Sequence, residues 1–411
     1  MDFMRSNLPS TVLAPMLLTA CPSASPDQVG EDSGSSGIVT TSPSGTSLSG
    51  TASASDTGSG SSGSSADSTD TDLNCGVVDY ELQAVPPNVV LVLDKSGSMV
   101  SDNDVDGNGE MDGFWDHDAD PMTPPISRWN SLYNVVEFVV DGFDTQINFG
   151  GVLFPSQNAT NQYSANACKV ATTPEIPVAT TNAAAILAGI PPATATTEIQ
   201  GATPATAGIQ TALDHLATLD PEVPKFLILV TDGAANCSAD NPSPPDLLEV
   251  YDDNLPVLVG SAYTDLGVPT FVVGIDIVDA LAGVGADGVP EANTFVELNA
   301  VAEAGGRPQP GNEKFFNTVN ELELMSALGE IAGAVVSCVI PLEPPPDYPD
   351  YVEVQVGGVD IPRVDDCSTE DGWVFSNPDG PYDSLELCGS ACDQLIAVGT
   401  VDATYGCPPA G

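Results

Sequence analysis

Two stretches, Val89-Val90-Leu91-Val92-Leu93 and Phe226-Leu227-Ile228-Leu229-Val230, contain nothing but large apolar side chains. A strand with one wet face alternates apolar and polar residues. A run without alternation suits a strand covered on both faces, as in a parallel sheet between helical layers. Residues 147–154 and 270–275 read as two further strands, and 314–318 as an edge strand. Between them, 128–143 places Trp129, Leu132, Tyr133, Val136, Val139, Val140 and Phe143 at helical spacing. Thr203-Pro204 opens another helix, with proline suited to its first turn and Ile209, Leu213 and Leu216 on one face. Residues 321–336 read as a terminal amphipathic helix. Strands alternating with helices predict an α/β fold with a doubly wound, mainly parallel sheet. Ligands of such sheets bind beyond the carboxyl ends of the strands.

The first apolar run ends in Asp94-Lys95-Ser96-Gly97-Ser98, an Asp-x-Ser-x-Ser sequence. Taken alone, Ser96 and Ser98 also suit helix caps and Asp94 a loop carboxylate. Capping does not call for Thr203 in Gly201-Ala202-Thr203-Pro204, nor for Asp232 in Leu229-Val230-Thr231-Asp232-Gly233. The three parts together, in this order, resemble the metal-ion-dependent adhesion site (MIDAS) of von Willebrand factor A (vWA) domains. The resemblance covers residues 88 to about 338. It implies a Mg²⁺ or Mn²⁺ site formed by Asp94, Ser96, Ser98, Thr203 and Asp232. It also implies a protein or surface ligand whose carboxylate completes the shell. The chemistry agrees: Mg²⁺ favours oxygen donors in octahedral geometry and keeps waters, and hydroxyls leave its charge unsaturated.

An acidic stretch follows, with Asp102, Asp104, Asp106, Asn108, Glu110 and Asp112 spaced like the calcium loops of EF-hands. Two registers fit, with Gly107 or Gly109 at the turn. Neither has a carboxylate at the twelfth position, where Gly113 and Trp115 stand; Asp116, Asp118 or Asp120 are the available substitutes. A second ion, Ca²⁺, is expected here, the alternative being a solvated acidic loop.

The ends of the chain point to export. Arg5, an uncharged stretch from Leu8 and the ending Leu18-Thr19-Ala20-Cys21 have the layout of a signal peptide. Leu-Thr-Ala-Cys resembles the bacterial lipobox, which implies lipidation at Cys21. Residues 23–72 are Ser, Gly, Thr, Asp and Ala with almost nothing to bury, so they read as a flexible tether about 40 Å in end-to-end distance. Eight cysteines remain, an even set that in an exported chain reads as disulfides. Cys168 and Cys237 both fall on loops expected at the carboxyl edge, so they are expected to pair and pin the loop carrying Asp232. The competing pairings join Cys237 to Cys75 or to the C-terminal segment. After the proline-rich 341–349, short alternating strands at 352–356, 373–375 and 385–387 and four cysteines suggest a small disulfide-tied β unit. The expected organisation is a signal peptide at 1–20, lipidated Cys21 and linker at 21–74, a vWA domain at 75–340 and a β unit at 341–411. The layout resembles that of secreted vWA lipoproteins of myxobacteria.

Composition narrows the function. The chain has 411 residues, with 58 acidic against 8 basic ones, a net charge of −50. Such a field repels nucleic acid and anionic lipid, so neither is an expected partner and membrane association is expected through the lipid anchor alone. Two histidines, His117 and His215, argue against most zinc sites and most Ser–His catalysis. His215 falls in a helical pattern as a surface or boundary residue, and Lys95 has no evident role. The expected function is an adhesion or interaction module of the cell envelope, as an outer-membrane lipoprotein or at the cell surface, and not an enzyme. The alternative is an envelope structural or assembly factor stabilised by calcium and disulfides. Oligomeric state is not legible.

Overall fold

The all-apolar run at 89–93 becomes the central strand of a parallel sheet. The structure is a computed structural model; it describes residues 78–102, 113–282, 288–367 and 369–408. All of these belong to one unit, Thr71–Gly411. The signal peptide, Cys21, the linker and Cys75 lie outside the described residues, as do Asp104, Asp106, Asn108, Glu110 and Asp112.

A first strand, β1 (Val78–Gln83), leads into β2 (Asn88–Asp94), which is buried throughout. A short hairpin of β3 (Phe114–Trp115) and β4 (Ile126–Ser127) then delivers α1 (Arg128–Gly142), whose first turn is capped by Ser127 Oγ accepting from the Asn130 N–H. There follow β5 (Asn148–Phe154), α2 (Ala183–Gly189), α3 (Ala205–Leu216), β6 (Lys225–Thr231) and α4 (Asp246–Glu249). The α/β part closes with α5 (Asn254–Leu266), β7 (Thr270–Ile275), α6 (Thr294–Ala304), β8 (Phe316–Thr318) and α7 (Glu321–Val335).

The sheet order is β5-β2-β6-β7-β8, all parallel. Alternate residues of β2 serve opposite cores. Val89, Leu91 and Leu93 pack with Trp129, Leu132 and Val136 of α1 and with Leu324, Leu328 and Ile331 of α7. Val90 and Val92 pack with Ile209 and Leu213 of α3 and with Val259 of α5. Each such buried side chain contributes about 1.5–3 kcal/mol, which is why both faces of the strand are apolar. The chain leaves β2 towards β5 but leaves β6 towards β7. The carboxyl ends of β2 and β6 therefore flank the switch point, the crevice where open α/β sheets bind ligands.

The C-terminal region differs from the expected β unit in two respects. It contains β9 (Val339–Pro341), β10 (Val352–Val356), β11 (Val359–Ile361), β12 (Gly372–Phe375), β13 (Ser384–Cys388), a helix α8 (Ser390–Val398) and β14 (Thr400–Tyr405). Its larger sheet, β1-β14-β10-β11, borrows β1 from before the parallel sheet, so it is not confined to residues after 341. The second sheet is β12-β13-β9. Trp373, Phe375, Leu385, Leu387 and Val354 form its core, and Cys338–Cys392 and Cys367–Cys388 disulfides tie it. Gly357 and Gly358, at φ +58° and +78°, make the two-residue turn between β10 and β11, where both central residues need the left-handed region. Among the described residues no helix is long and apolar enough to cross a membrane.

Candidate metal centre

Asp94 is the last residue of β2, and its carboxylate is fully buried at the switch point. Its Oδ1 accepts from the Ser96 N–H at 2.8 Å, and its Oδ2 accepts from Thr231 Oγ1, at the end of β6, at 2.6 Å. Past Asp94 the chain turns sharply, so that Ser96 Oγ and Ser98 Oγ lie 2.8 Å apart. Ser98 Oγ in turn donates to Asp232 Oδ1 at 2.7 Å. Ser96, Ser98 and Asp232 thus form a continuous row of oxygens bonded to one another, with Asp94 beneath.

Thr203 stands on the neighbouring loop and is buried. The serine turn and this loop are joined by the Gly97 N–H, which donates to the Gly201 carbonyl at 3.0 Å. Gly201 has φ +108°, and a Cβ there would lie 2.6 Å from Pro155 Cγ and 2.9 Å from the Ala167 carbonyl. Only glycine allows this loop to come so close. Thr203 itself donates its N–H to Asn236 Oδ1 at 2.9 Å and accepts from the Asn236 N–H at 3.0 Å.

Several residues that the sequence left without a role surround these oxygens. Lys95 is fully buried, and its Nζ donates to the carbonyls of Glu198 (2.8 Å) and Gln200 (3.3 Å), tying the approach to Thr203 to the end of β2. Burial pulls its ammonium down to about 8. Arg128, the first residue of α1, donates from Nη1 to Asp232 Oδ2 (3.2 Å) and from Nη2 to Asp276 Oδ2 (2.5 Å). An arginine at a helix N-terminus opposes the macrodipole. That misfit is the one sequence signal that singles out Arg128; Asp276, just past β7, carries none.

Burial, with Asp232 nearby, pushes the Asp94 carboxyl up to about 7. Asp232 is also raised by burial, against the opposing pull of Arg128. Two carboxylates enclosed beside one cation favour a further positive charge. Among the described residues no three His, Cys, Asp or Glu side chains converge as a metal cluster. The donors here are instead hydroxyls with two carboxylates, a hard-oxygen set of the kind Mg²⁺ and Mn²⁺ accept and softer metals do not. Of the acidic stretch, only Asp102 is described, and it is exposed. Asp118 and Asp120 make local turn contacts with Thr123 and Met122.

Cys168 and Cys237 are joined by a disulfide, with Cα atoms 5.6 Å apart. His215 is half-buried and accepts from the Val178 N–H through Nε2 at 3.0 Å.

No protein-family model matches the chain, and no curated protein does. Among solved structures it is similar to the pilus adhesin SpaC from Lactobacillus rhamnosus GG at 13% identity and a TM-score of 0.43, covering 80% of this chain and 41% of that one. It is also similar to a von Willebrand factor type A protein from Catenulispora acidiphila (14%, TM-score 0.33, 80% and 64% covered). A third similar structure is the manganese-loaded TRAP protein of Plasmodium vivax (13%, TM-score 0.35, 62% and 77% covered). The chain thus spans less than half the length of the adhesin, and its structural neighbours include vWA domains at low identity.

Proposed function

We propose that the chain is an exported vWA-type interaction module that binds a protein or surface ligand through a divalent metal, Mg²⁺ or Mn²⁺, held by Asp94, Ser96, Ser98, Thr203 and Asp232. The observation that carries the reading is the bonded row Ser96–Ser98–Asp232 above buried Asp94 at the switch point of a parallel sheet. Arg128 already takes up part of the charge of Asp232, so the protein alone supplies less than two full negative charges to an ion. The remainder favours an anionic ligand, and a carboxylate from the partner is the donor that suits a hard cation. The reading is a binding module and not an enzyme: the hydroxyls of Ser96 and Ser98 are bonded to each other and to an acid already paired with arginine, and no activated nucleophile results.

Lipidation at Cys21 and the 23–72 tether would hold the module clear of a membrane at the cell surface. A second ion, Ca²⁺, bound by carboxylates of the 102–112 stretch belongs to the same proposal. The test is capture of partners from envelope extracts by the purified full chain. Capture is expected with Mg²⁺ and lost with EDTA or in Thr203→Ala. Equal capture with EDTA, or by the variant, would overturn the metal-dependent reading.

A further inference from the structure

The cysteines of the Cys168–Cys237 disulfide each follow directly on a residue that grips the loop of Thr203. Ala167, before Cys168, accepts the Ala202 N–H on its carbonyl at 3.0 Å. Asn236, before Cys237, holds Thr203 by two bonds, accepting its N–H at 2.9 Å and donating to its carbonyl at 3.0 Å. Asn236 is itself buried, and its Nδ2 donates to the Leu248 carbonyl at 3.0 Å and the Gly288 carbonyl at 3.3 Å. The Cys237 N–H donates to the Leu247 carbonyl at 2.8 Å.

Beneath these bonds lies a small apolar cluster separate from the two faces of the sheet. Ala167, Ala202, Leu247 and Leu248 form it, and the two cysteines pack against it. Thr203 therefore sits between two segments, one after β5 and one after β6, that are 69 residues apart in sequence and share one covalent link. The sequence suggested that this link would steady the loop of Asp232. The hydrogen bonds run instead to Ala202 and Thr203, while Asp232 is held by Ser98 and Arg128.

We propose that the Cys168–Cys237 disulfide is a positioning element for Thr203. It keeps Ala167 and Asn236 at a fixed separation, so that Ala202 and Thr203 are held from both sides before any ion or partner arrives. The consequence for metal binding rests on the metal-centre reading above: a Thr203 backbone already in place costs no ordering at the moment of binding. Without the link, that ordering falls on the binding step. Fixing one residue's backbone corresponds to roughly a tenfold change in an equilibrium constant. The affinity of the site for Mg²⁺ then depends on the redox state of two cysteines that are not ligands.

The experiment compares the full chain with Cys168→Ser/Cys237→Ser. The first readout is hydrogen exchange in EDTA, read at the amides of residues 201–203 and at β2 and β6. The second is the Mg²⁺ dissociation constant from calorimetry. Expected in the variant is faster exchange at 201–203 with β2 and β6 unchanged, and a dissociation constant about tenfold higher. Reducing the folded wild type with a water-soluble phosphine opens the same bond without refolding, and the variant treated in parallel accounts for the Cys338–Cys392 and Cys367–Cys388 bonds that open with it. The sulfurs become thiols, taking two electrons from the phosphine and two protons from a water molecule, whose oxygen the phosphine takes to become its oxide. Unchanged exchange at 201–203 in the variant and in the reduced protein overturns the proposal. So does faster exchange spread equally over β2 and β6, since the bond would then serve the whole fold. Faster exchange confined to 201–203, in a chain whose wild type takes no Mg²⁺, sustains the positioning and overturns the metal reading instead.

Discussion

Replacing Arg128 with methionine isolates the electrostatics of the site. The Arg128 side chain is 12% exposed and the Asp232 side chain 0%, so Arg128→Met leaves a carboxylate enclosed without its cation. Removing one partner of a buried ion pair costs about 3–5 kcal/mol, most of it the unpaired charge left behind. Asp276 adds little, because at 37% exposed it can be screened by water. The reverse deletion, Asp232→Asn, should cost less, about 1–2 kcal/mol. Arg128 then keeps Asp276, and the amide that replaces the carboxylate retains an oxygen for the Ser98 hydroxyl. In the double variant no charge is stranded, so it should be at least about 2 kcal/mol more stable than Arg128→Met alone. Unfolding entropy of about 2.1 cal/mol/K per residue over Thr71–Gly411 makes each kcal/mol worth roughly 1.4 °C. The expected fall in Tm for Arg128→Met is therefore about 4–7 °C, with partial recovery in the double variant. Thermal unfolding followed by circular dichroism in EDTA measures this. Additive single effects, or Arg128→Met at the wild-type Tm, would refute the claim that Arg128 compensates a buried Asp232.

Two other predictions follow from the half-buried histidine and the N-terminus. Burial pulls the His215 imidazole below its ordinary value while Nε2 accepts from the Val178 N–H. In the unfolded chain the imidazole, with a pKa of about 6.5, therefore binds its proton at higher pH, so the stabilisation is present above that pH and is lost as pH falls below it. Between pH 7.5 and 5.5 the wild-type Tm should fall further than that of His215→Gln; parallel slopes would show that His215 does not titrate on unfolding. Cys21→Ser should release the protein from the membrane fraction and remove an acyl mass from its N-terminal peptide. A variant that stays with the membrane, beside a wild type without acyl mass, would overturn lipidation.

The strands of the main sheet were legible because full burial leaves so plain a mark. β2, β6 and β7 fall on apolar runs, and β5 and β8 lie within a residue or two of their expected bounds. α1 and α7 were legible through one-sided spacing. The sequence reading places no helix at α5. That helix buries Leu255, Val259 and Ala262 yet exposes Val257 and Leu266, so its apolar residues do not form one stripe. α6 escaped for a similar reason, since Val296 is exposed while Leu298 and Val301 are buried. α2 and α8 are too short for periodicity to stand out.

Within the candidate site, the oxygen-bearing residues were legible as a motif, whereas their supports were not. Lys95 contacts backbone carbonyls more than 100 residues away, and Asn236 grips Thr203 through its own backbone and amide. Contacts to backbone leave no residue pattern at the receiving end. The pairing of Arg128, at the start of α1, with carboxylates on two separate loops required the fold.

The central claim is that these oxygens hold a divalent ion, and anomalous diffraction from crystals grown with Mn²⁺ tests it most directly. A Mn²⁺ peak is expected within bonding distance of Ser96 Oγ and Ser98 Oγ, beside Thr203 and Asp232, and it should disappear in Thr203→Ala crystals. Mn²⁺ density elsewhere in the chain, with none at the serine turn, would contradict it.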